Sequence, residues 1–142
     1  MPSILGANSV SGYTISNSLR FNAADSPSLQ KTFGSAGNRR IFTFSGWIKL
    51  GNAVQFAQYY PNQKSILLST DAAQSTTSVG YGGYTSANAG GFHFQDGRSG
   101  TYIETTSKFR DPSAWYHVVV RYDSTQGTAS NRIFIYVNGV SQ

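Results

Sequence analysis

Hydrophobic and polar residues alternate along residues 41–50, and this pattern predicts a long β-strand. One face of the predicted strand carries four large apolar residues and is expected to join the core: Phe42, Phe44, Ile48 and Leu50. The opposite face is mixed, so Trp47 on that face is either covered by another part of the chain or exposed. Gly46 lies on the apolar face, where it leaves room for a large neighbour or marks a bulge.

The same alternation returns between Trp115 and Gly139, where two β-forming runs flank a polar linker. The first run, 115–123, has Tyr116, Val118, Val120 and Tyr122 on its predicted core face. The second run, 133–137, has Ile133, Ile135 and Val137 there. It ends on Asn138-Gly139, a dipeptide that favours the positive φ angles of a type I′ turn, so a further strand is expected from Val140.

Shorter runs predict further strands at 19–22, 28–33, 65–69, 91–95 and 101–106. Glycine, proline and small polar residues separate these runs, as is typical of turns. No segment combines helical spacing of apolar residues with capping residues. About nine short strands and almost no helix predict an all-β protein, an antiparallel β-sandwich or jelly roll.

Composition agrees with this fold class, because aromatic residues are abundant (14%) and charged residues are few (12%). The formal charge is +5, from eleven Lys or Arg and six acids, and these bases are scattered along the chain. Nucleic-acid binders cluster their bases in a patch or stripe, so we expect no nucleic-acid partner. The charge instead favours a mild attraction to acidic glycans or anionic cell surfaces.

The chain contains no cysteine, which excludes disulfides and thiolate metal sites. Residues 1–12 have neither the basic nor the apolar region of a signal peptide, and no apolar run is long enough to span a membrane. We therefore expect synthesis in the cytoplasm, without membrane insertion. Residues 1–18 have no clear periodicity, and are either a loosely docked terminus or an arm that docks into a neighbouring protein.

Four segments together resemble a known fold: SLRFN (18–22), AGNRRIFTFSGWIK (36–49), FRDPSAWYHVVV (109–120) and ASNRIFIYVNGV (129–140). They are similar to the laminin-G-like, concanavalin A-type lectin domain, and more narrowly to its version in tailed-bacteriophage virion proteins, tail fibres above all. The resemblance runs from about Ile4 to Val140. Its signature residues are Trp47, Trp115, His117, Asn138 and Gly139.

The resemblance implies that the domain continues beyond the Asn138-Gly139 turn. Residues 19–142 are then a β-sandwich that is incomplete at its C-terminus, the amino-terminal part of a longer domain or chain, and residues 1–18 precede it as an arm. Phe134 occupies a position where the family is expected to carry an outward polar residue. It either packs under the missing segment or contacts a partner.

The resemblance also extends to glycoside hydrolases, which need two carboxylates about 5–9 Å apart. No acid has another within four residues along the chain: Asp25, Asp71, Asp96, Glu104, Asp111 and Asp123. We therefore expect no enzyme and no catalytic residue, and His117 is interpreted as a hydrogen-bonded structural residue. Calcium is the family's commonest ion, but no acidic motif supports it, so no cofactor is expected unless one Asp and several carbonyls build a site.

Glycan binding is the ligand chemistry that the residues favour, because sugars stack on exposed aromatic rings. Four tyrosines lie in segments rich in small polar residues and are the candidate ligand contacts: Tyr59, Tyr60, Tyr81 and Tyr84. Alternatively, these tyrosines cover the edges of the sandwich or contact another protein, since tyrosine is also enriched at interfaces.

The resemblance implies a virion structural protein, a tail fibre or a tail- or baseplate-associated component located in the virion tail. Its implied partners are other virion proteins and copies of itself, as a trimer. The domain would make assembly contacts and attach to the host surface. The alternative is a lectin module that recognises host glycan; a glycoside hydrolase lacks its carboxylate pair.

Overall fold

A computed structural model of the chain describes residues 17–22, 25, 28–51, 65–70, 77–82, 90–96 and 101–142. The chain divides into two compact units, Met1–Ala36 and Gly37–Gln142. The predicted division into an arm, 1–18, and a sandwich, 19–142, stays a prediction. All the strands described below belong to this second unit.

Eight strands occur in the described part of the second unit: β1 (Ile41–Lys49), β2 (Ser65–Ser69), β3 (Thr77–Tyr81), β4 (Phe92–Asp96), β5 (Thr101–Glu104), β6 (Trp115–Asp123), β7 (Ile133–Val137) and β8 (Val140–Ser141). They form two antiparallel sheets, ordered β1-β6-β7-β8 and β2-β3-β4-β5. A 3₁₀ turn at Ala129–Asn131 lies between β6 and β7. The predicted all-β sandwich is confirmed.

The core lies between the two sheets, and the residues predicted for the first sheet fill one side of it. Buried core residues from that sheet are Tyr116, Val118, Val120, Ile135 and Val137, with Phe42, Phe44 and Ile48 packed against them. The second sheet supplies Val79, Tyr81, Phe92 and Phe94. Alternation predicted the core positions of the first sheet because a strand with one buried face points every second side chain inward.

Gly46 does not mark a bulge. The pairing of β1 with β6 runs without a shift from Ile41 opposite Asp123 to Lys49 opposite Trp115. A Cβ atom at Gly46 would lie 3.6 Å from Cζ of Phe44, an ordinary van der Waals distance. The register therefore excludes the bulge interpretation, and the ring of Phe44 lies beside the glycine without requiring it.

Two of the shorter predicted strands are absent. Residues 19–22 and 28–33 are described but form no strand, so these predictions were wrong. Their large apolar side chains are exposed, from 54% for Phe21 to 76% for Phe33, with Leu19 and Leu29 between these values. A short alternating run becomes a strand only when another strand pairs with it.

The turn between β7 and β8 has the predicted geometry. Asn138 has φ 52° and Gly139 has φ 81°, the positive pair that a type I′ turn requires. Strand β8 then begins at Val140, as expected. Asn138 is bonded twice to His117 of β6: its amide donates to the His117 carbonyl at 2.8 Å, and its Oδ1 accepts from the His117 amide at 2.9 Å.

Two substitutions at Asn138 should separate its two roles. Asn138→Gly keeps the positive φ but removes the Oδ1 acceptor, and we expect a loss of about 1 kcal/mol in the free energy of unfolding. Asn138→Ala also removes the acceptor. In addition it places in the left-handed region a residue that lacks the polar side chain by which asparagine tolerates this conformation, so the loss should be about 2–3 kcal/mol. Urea unfolding of the two variants tests this; equal losses would show that the backbone conformation carries no cost.

Candidate functional site: the outer face of the first sheet

The first sheet turns a continuous row of side chains away from the core. Successive side chains of a strand point to opposite faces, so the partners of the core residues lie together on the outside. We call this surface the aromatic face, and it comprises Ile41, Thr43, Ser45, Trp47 and Lys49 of β1, Trp115, His117, Val119, Arg121 and Asp123 of β6, and Phe134 and Tyr136 of β7. Its positions are fixed by continuous antiparallel pairing of three strands.

Two half-exposed tryptophans dominate one end of the aromatic face. Trp47 is 50% exposed and Trp115 is 49% exposed. In the register of β1 with β6, Trp47 lies opposite His117 and Lys49 lies opposite Trp115, so the two indoles occupy diagonal positions. Diagonal neighbours of this kind lie about 7–8 Å apart in an antiparallel pair. Each ring therefore presents its own surface to solvent.

His117 holds the ring of Trp47 in place. The imidazole and indole are stacked, with centroids 5.0 Å apart and planes inclined by 28°. Nε2 of His117 lies 3.1 Å from Oγ of Ser45, which is diagonal to His117 on the neighbouring strand β1. The backbone amide and carbonyl of His117 are bonded to Asn138 as well. Side chain and backbone of His117 thus both have partners, as the predicted hydrogen-bonded role requires.

A cation lies over an aromatic ring at the other end of the aromatic face. The guanidinium carbon of Arg121 is 5.3 Å from the ring centre of Phe134, a cation–π distance. The ring of Phe134 also stacks beside Tyr136, with centroids 6.2 Å apart. Phe134 thus has partners within the described chain, which neither sequence-based interpretation of this residue had included.

The one acid of the aromatic face is bonded within its own loop. The carboxylate of Asp123 accepts hydrogen bonds from the amide and hydroxyl of Thr125 and from Nε2 of Gln126 at 2.7 Å. The Thr125 hydroxyl, and next the Gln126 amide, hold the pKa of Asp123 below its usual value. Nη2 of Arg121 approaches the same carboxylate at 3.8 Å. Asp123 is therefore an ionised cap of the β6–β7 loop.

Tyr81, one of the four tyrosines predicted to contact ligand, is buried. It lies in β3 and is 2% exposed, and its hydroxyl donates to the carbonyl of Phe109 at 2.7 Å. Burial raises the pKa of Tyr81 to about 12. The prediction of an exposed loop residue was wrong, because the glycine-rich segment pairs with β4 and turns this ring into the core. Tyr59, Tyr60 and Tyr84 lie outside the described residues.

The tryptophans were not predicted as binding residues, although the sequence carried a signal. Trp47 was assigned to the mixed face of its strand, where exposure was one of two outcomes. Trp115 falls on the outward set of 115–123, together with Arg121. A large aromatic residue among polar neighbours on the same strand face is the pattern that would have found both.

The outer face of the second sheet carries a buried polar group. His93 of β4 is fully buried and lies opposite Glu104 of β5, and its Nδ1 lies 3.0 Å from the carbonyl of Gly82. The hydroxyl of Tyr102 donates to Oε2 of Glu104 at 2.6 Å. Asp96 points to the opposite face of β4 by strand alternation.

Metal ligands do not converge in the part of the chain that the structure describes. No group of three His, Cys, Asp or Glu side chains that could hold an ion occurs there. The acids near the aromatic face are bonded locally: Asp111 Oδ1 accepts from the amide and hydroxyl of Ser113 at 2.8 and 2.6 Å.

No helix within the described residues has the length and apolar character needed to cross a membrane.

Comparison with known proteins places this geometry in a family. A family model for the concanavalin A-like lectin/glucanases superfamily matches residues 10–142. No curated protein and no solved structure matches the chain. The match covers nearly the whole chain and agrees with the two-sheet sandwich, so the chain belongs to the concanavalin A-like lectin/glucanase superfamily.

Proposed function

We propose that the chain is a non-catalytic, lectin-like binding domain of a tailed-bacteriophage virion protein of the tail-fibre type, and that the aromatic face binds carbohydrate on the host surface. The observation that carries this proposal is the pair of half-exposed tryptophans, Trp47 and Trp115, on adjacent rigid strands. An indole offers a flat apolar surface of the size of a sugar ring, with one polar atom at its edge.

The setting of the tryptophans supports recognition of a ligand. Trp47 is held by its stack on His117, so little rotamer freedom remains to be lost on binding. Hydroxyl and imidazole groups lie beside the rings, at Ser45 and His117, where sugar hydroxyls need hydrogen-bond partners. The cross-strand register of β1 and β6 keeps the two indoles at a fixed separation.

The proposed virion setting rests on the resemblance of two sequence segments to phage proteins. The segments AGNRRIFTFSGWIK and FRDPSAWYHVVV resemble tail-fibre versions of the fold. Other virion proteins and further copies of this chain, as a trimer, are the proposed partners. The absence of catalysis is also part of the proposal.

Substitution of the tryptophans tests the proposal. We expect Trp47→Ala and Trp115→Ala each to weaken binding of the best glycan found on an array by about tenfold, since a stacked aromatic contact is worth about 1.4 kcal/mol. Calorimetric titration measures the affinity, and the thermal unfolding midpoint should stay nearly unchanged. Phe33→Ala, at an exposed aromatic residue outside the aromatic face, is the control. Absence of binding to every glycan of the array would refute the proposal.

A second candidate function, an assembly contact, is favoured by a specific observation in the Met1–Ala36 unit. Its described residues expose four large apolar side chains, Leu19, Phe21, Leu29 and Phe33. Exposed apolar groups of this kind commonly mark protein–protein contacts. The control variant then has a second use: Phe33→Ala should reduce assembly, measured by sedimentation, without changing glycan affinity. Loss of assembly on Trp115→Ala instead would assign the aromatic face to assembly.

A further inference from the structure

We infer that the aromatic face binds a linear polysaccharide that carries uronic acid carboxylates, with its sugar rings on the tryptophans and its charges near Lys49 and Arg121. The inference rests on the proposed function and names the class of ligand. It follows from the position of the cations on the face, from the engagement of the acids beside them, and from the length of the face along the strands.

The cations lie among the aromatic rings. Lys49 is exposed and lies directly opposite Trp115, two positions from Trp47 on the same strand. Directly opposite Cβ atoms in an antiparallel pair are about 4.5–5.5 Å apart. The ammonium group has three donors at the end of a flexible stem, so it reaches a group attached to a ring that stacks on either indole. Arg121, also exposed, takes the corresponding place beside Phe134.

The acids near these cations are engaged by their own loops. Asp123 is bonded to Thr125 and Gln126, and Nη2 of Arg121 lies 3.8 Å from its carboxylate. The second nearby acid, Asp111, accepts two hydrogen bonds from Ser113; these bonds, and to a smaller extent the charge of Lys49, hold the pKa of Asp111 below its usual value. A ligand carboxylate near Lys49 therefore does not have to break an existing ion pair in the described chain. The formal charge of +5 adds a long-range attraction to a polyanion.

The two cations are far apart along the strands, which selects a polymer over a single sugar. Lys49 lies opposite Trp115, and Trp115 and Arg121 are six residues apart on β6. At about 3.3–3.4 Å per residue, this separation is about 20 Å. Val119 and Tyr136 fill the face between them. A polysaccharide that runs along β6 can therefore meet the tryptophans at one end and the Arg121–Phe134 pair at the other.

A uronic acid fits this arrangement better than a phosphate between sugars. Its carboxylate is attached to the pyranose ring itself, so a ring that stacks on Trp115 brings the charge to the side where Lys49 lies. Arg121 offers a planar fork that matches a carboxylate and a phosphate alike, so the preference for a uronic acid rests on the position of Lys49 beside Trp115. A neutral sugar would stack on the indoles but offer no carboxylate to Lys49, or to Arg121, whose contact with Asp123 is long at 3.8 Å.

Matched pairs of probes test the inference: homopolymer oligosaccharides of galacturonate, glucuronate and mannuronate, each compared with its methyl ester. The ester keeps the ring and removes the charge. We expect at least one uronate to bind about tenfold more tightly than its ester at low salt. The difference in affinity should fall as sodium chloride is raised. The Debye length, about 10 Å at 0.1 M ionic strength, becomes shorter at higher salt, so exposed charges attract each other less.

Charge-removing variants locate the effect. Lys49→Gln and Arg121→Gln should each weaken uronate binding about two- to fivefold, the range for an exposed ion pair, and leave ester binding unchanged. Lys31→Gln, an exposed cation in the Met1–Ala36 unit, is the matched control and should change neither. Equal affinity for uronate and ester, or a charge preference that Lys49→Gln and Arg121→Gln leave intact, would overturn the inference.

The proposed function and this inference fail in different ways. Binding of neutral glycans that depends on Trp47 and Trp115 but not on Lys49 would overturn the charged ligand and leave the lectin role standing. Failure of the chain to bind any glycan would overturn both. Thermal unfolding of each variant keeps the tests independent of folding, since Lys49 and Arg121 are exposed and contribute nothing to the core.

Discussion

Replacing Phe92 by alanine is expected to lower the free energy of unfolding by about 3–5 kcal/mol. Phe92 is fully buried in β4, and its ring meets aromatic rings from both halves of the sandwich. Its centroid lies 5.3 Å from that of Tyr81, 5.3 Å from that of Phe109 and 6.1 Å from that of Tyr116. Truncation removes these contacts and leaves a cavity that tightly packed neighbours cannot fill.

Chemical unfolding in urea measures this loss, and an exposed phenylalanine provides the comparison. Phe33 is 76% exposed, so Phe33→Ala should change the free energy of unfolding by less than about 0.5 kcal/mol. Because small domains have a total stability of about 5–15 kcal/mol, Phe92→Ala should also reduce the folded population at physiological temperature. A loss for Phe92→Ala as small as that for Phe33→Ala would mean that the two sheets do not pack together as described.

Substitution of Gly90 by alanine is expected to cost about 1–3 kcal/mol. Gly90 has φ +98°, a conformation that residues with a Cβ atom rarely adopt. The added Cβ would also lie 3.0 Å from Nε and 3.2 Å from Cγ of Arg110. The backbone cannot relax freely, because the carbonyl of Gly90 accepts a hydrogen bond from the amide of Phe109 at 2.8 Å.

Gly37→Ala is the matched control for this substitution. A Cβ atom at Gly37 would have nothing within 4 Å, and its φ is not in the positive region. The change should therefore be neutral or slightly stabilising, since alanine restricts the unfolded chain. The double variant Gly90→Ala/Arg110→Ala separates the two contributions at Gly90: the part due to Arg110 should disappear, and the part due to φ should remain. Equal stability of Gly90→Ala and Gly37→Ala would contradict the positive φ.

Alternation predicted the first sheet well because its physical cause is local. In β1, β6 and β7 every second residue, apart from Gly46, is large and apolar, and a shift of one residue would turn these side chains to solvent. The dipeptide Asn138-Gly139 likewise specified its own turn, since the left-handed backbone that it adopts is favoured by these two residue types. These elements depend little on what the rest of the chain does.

The errors lie where a distant part of the chain decides the outcome. Residues 19–22 alternate as a strand would, but no described strand pairs with them. Tyr81 lies between glycines and polar residues, yet its pairing opposite Phe92 places it in the core. Strand pairing and burial of this kind depend on residues far away in sequence, and a local pattern does not contain that information.

The candidate site was predictable only in part for the same reason. The resemblance singled out Trp47, Trp115 and His117 as signature residues, but it did not tell whether their rings are covered. The pairing of Lys49 with Trp115, which puts a cation beside an indole, appears only in the register of β1 with β6. A single sequence gives both residues and both strands, but not their alignment.

The strict alternation of β1 has a consequence for evolution. Its outward residues, Trp47 and Lys49 among them, are exposed, while the inward ones carry the packing. Selection can therefore replace the outward set with little loss of foldedness, and the two sets can change at different rates. Under the proposed function, a new carbohydrate specificity would need substitutions only at alternate positions of one strand pair, so the sandwich offers a route to new ligands that leaves the fold intact.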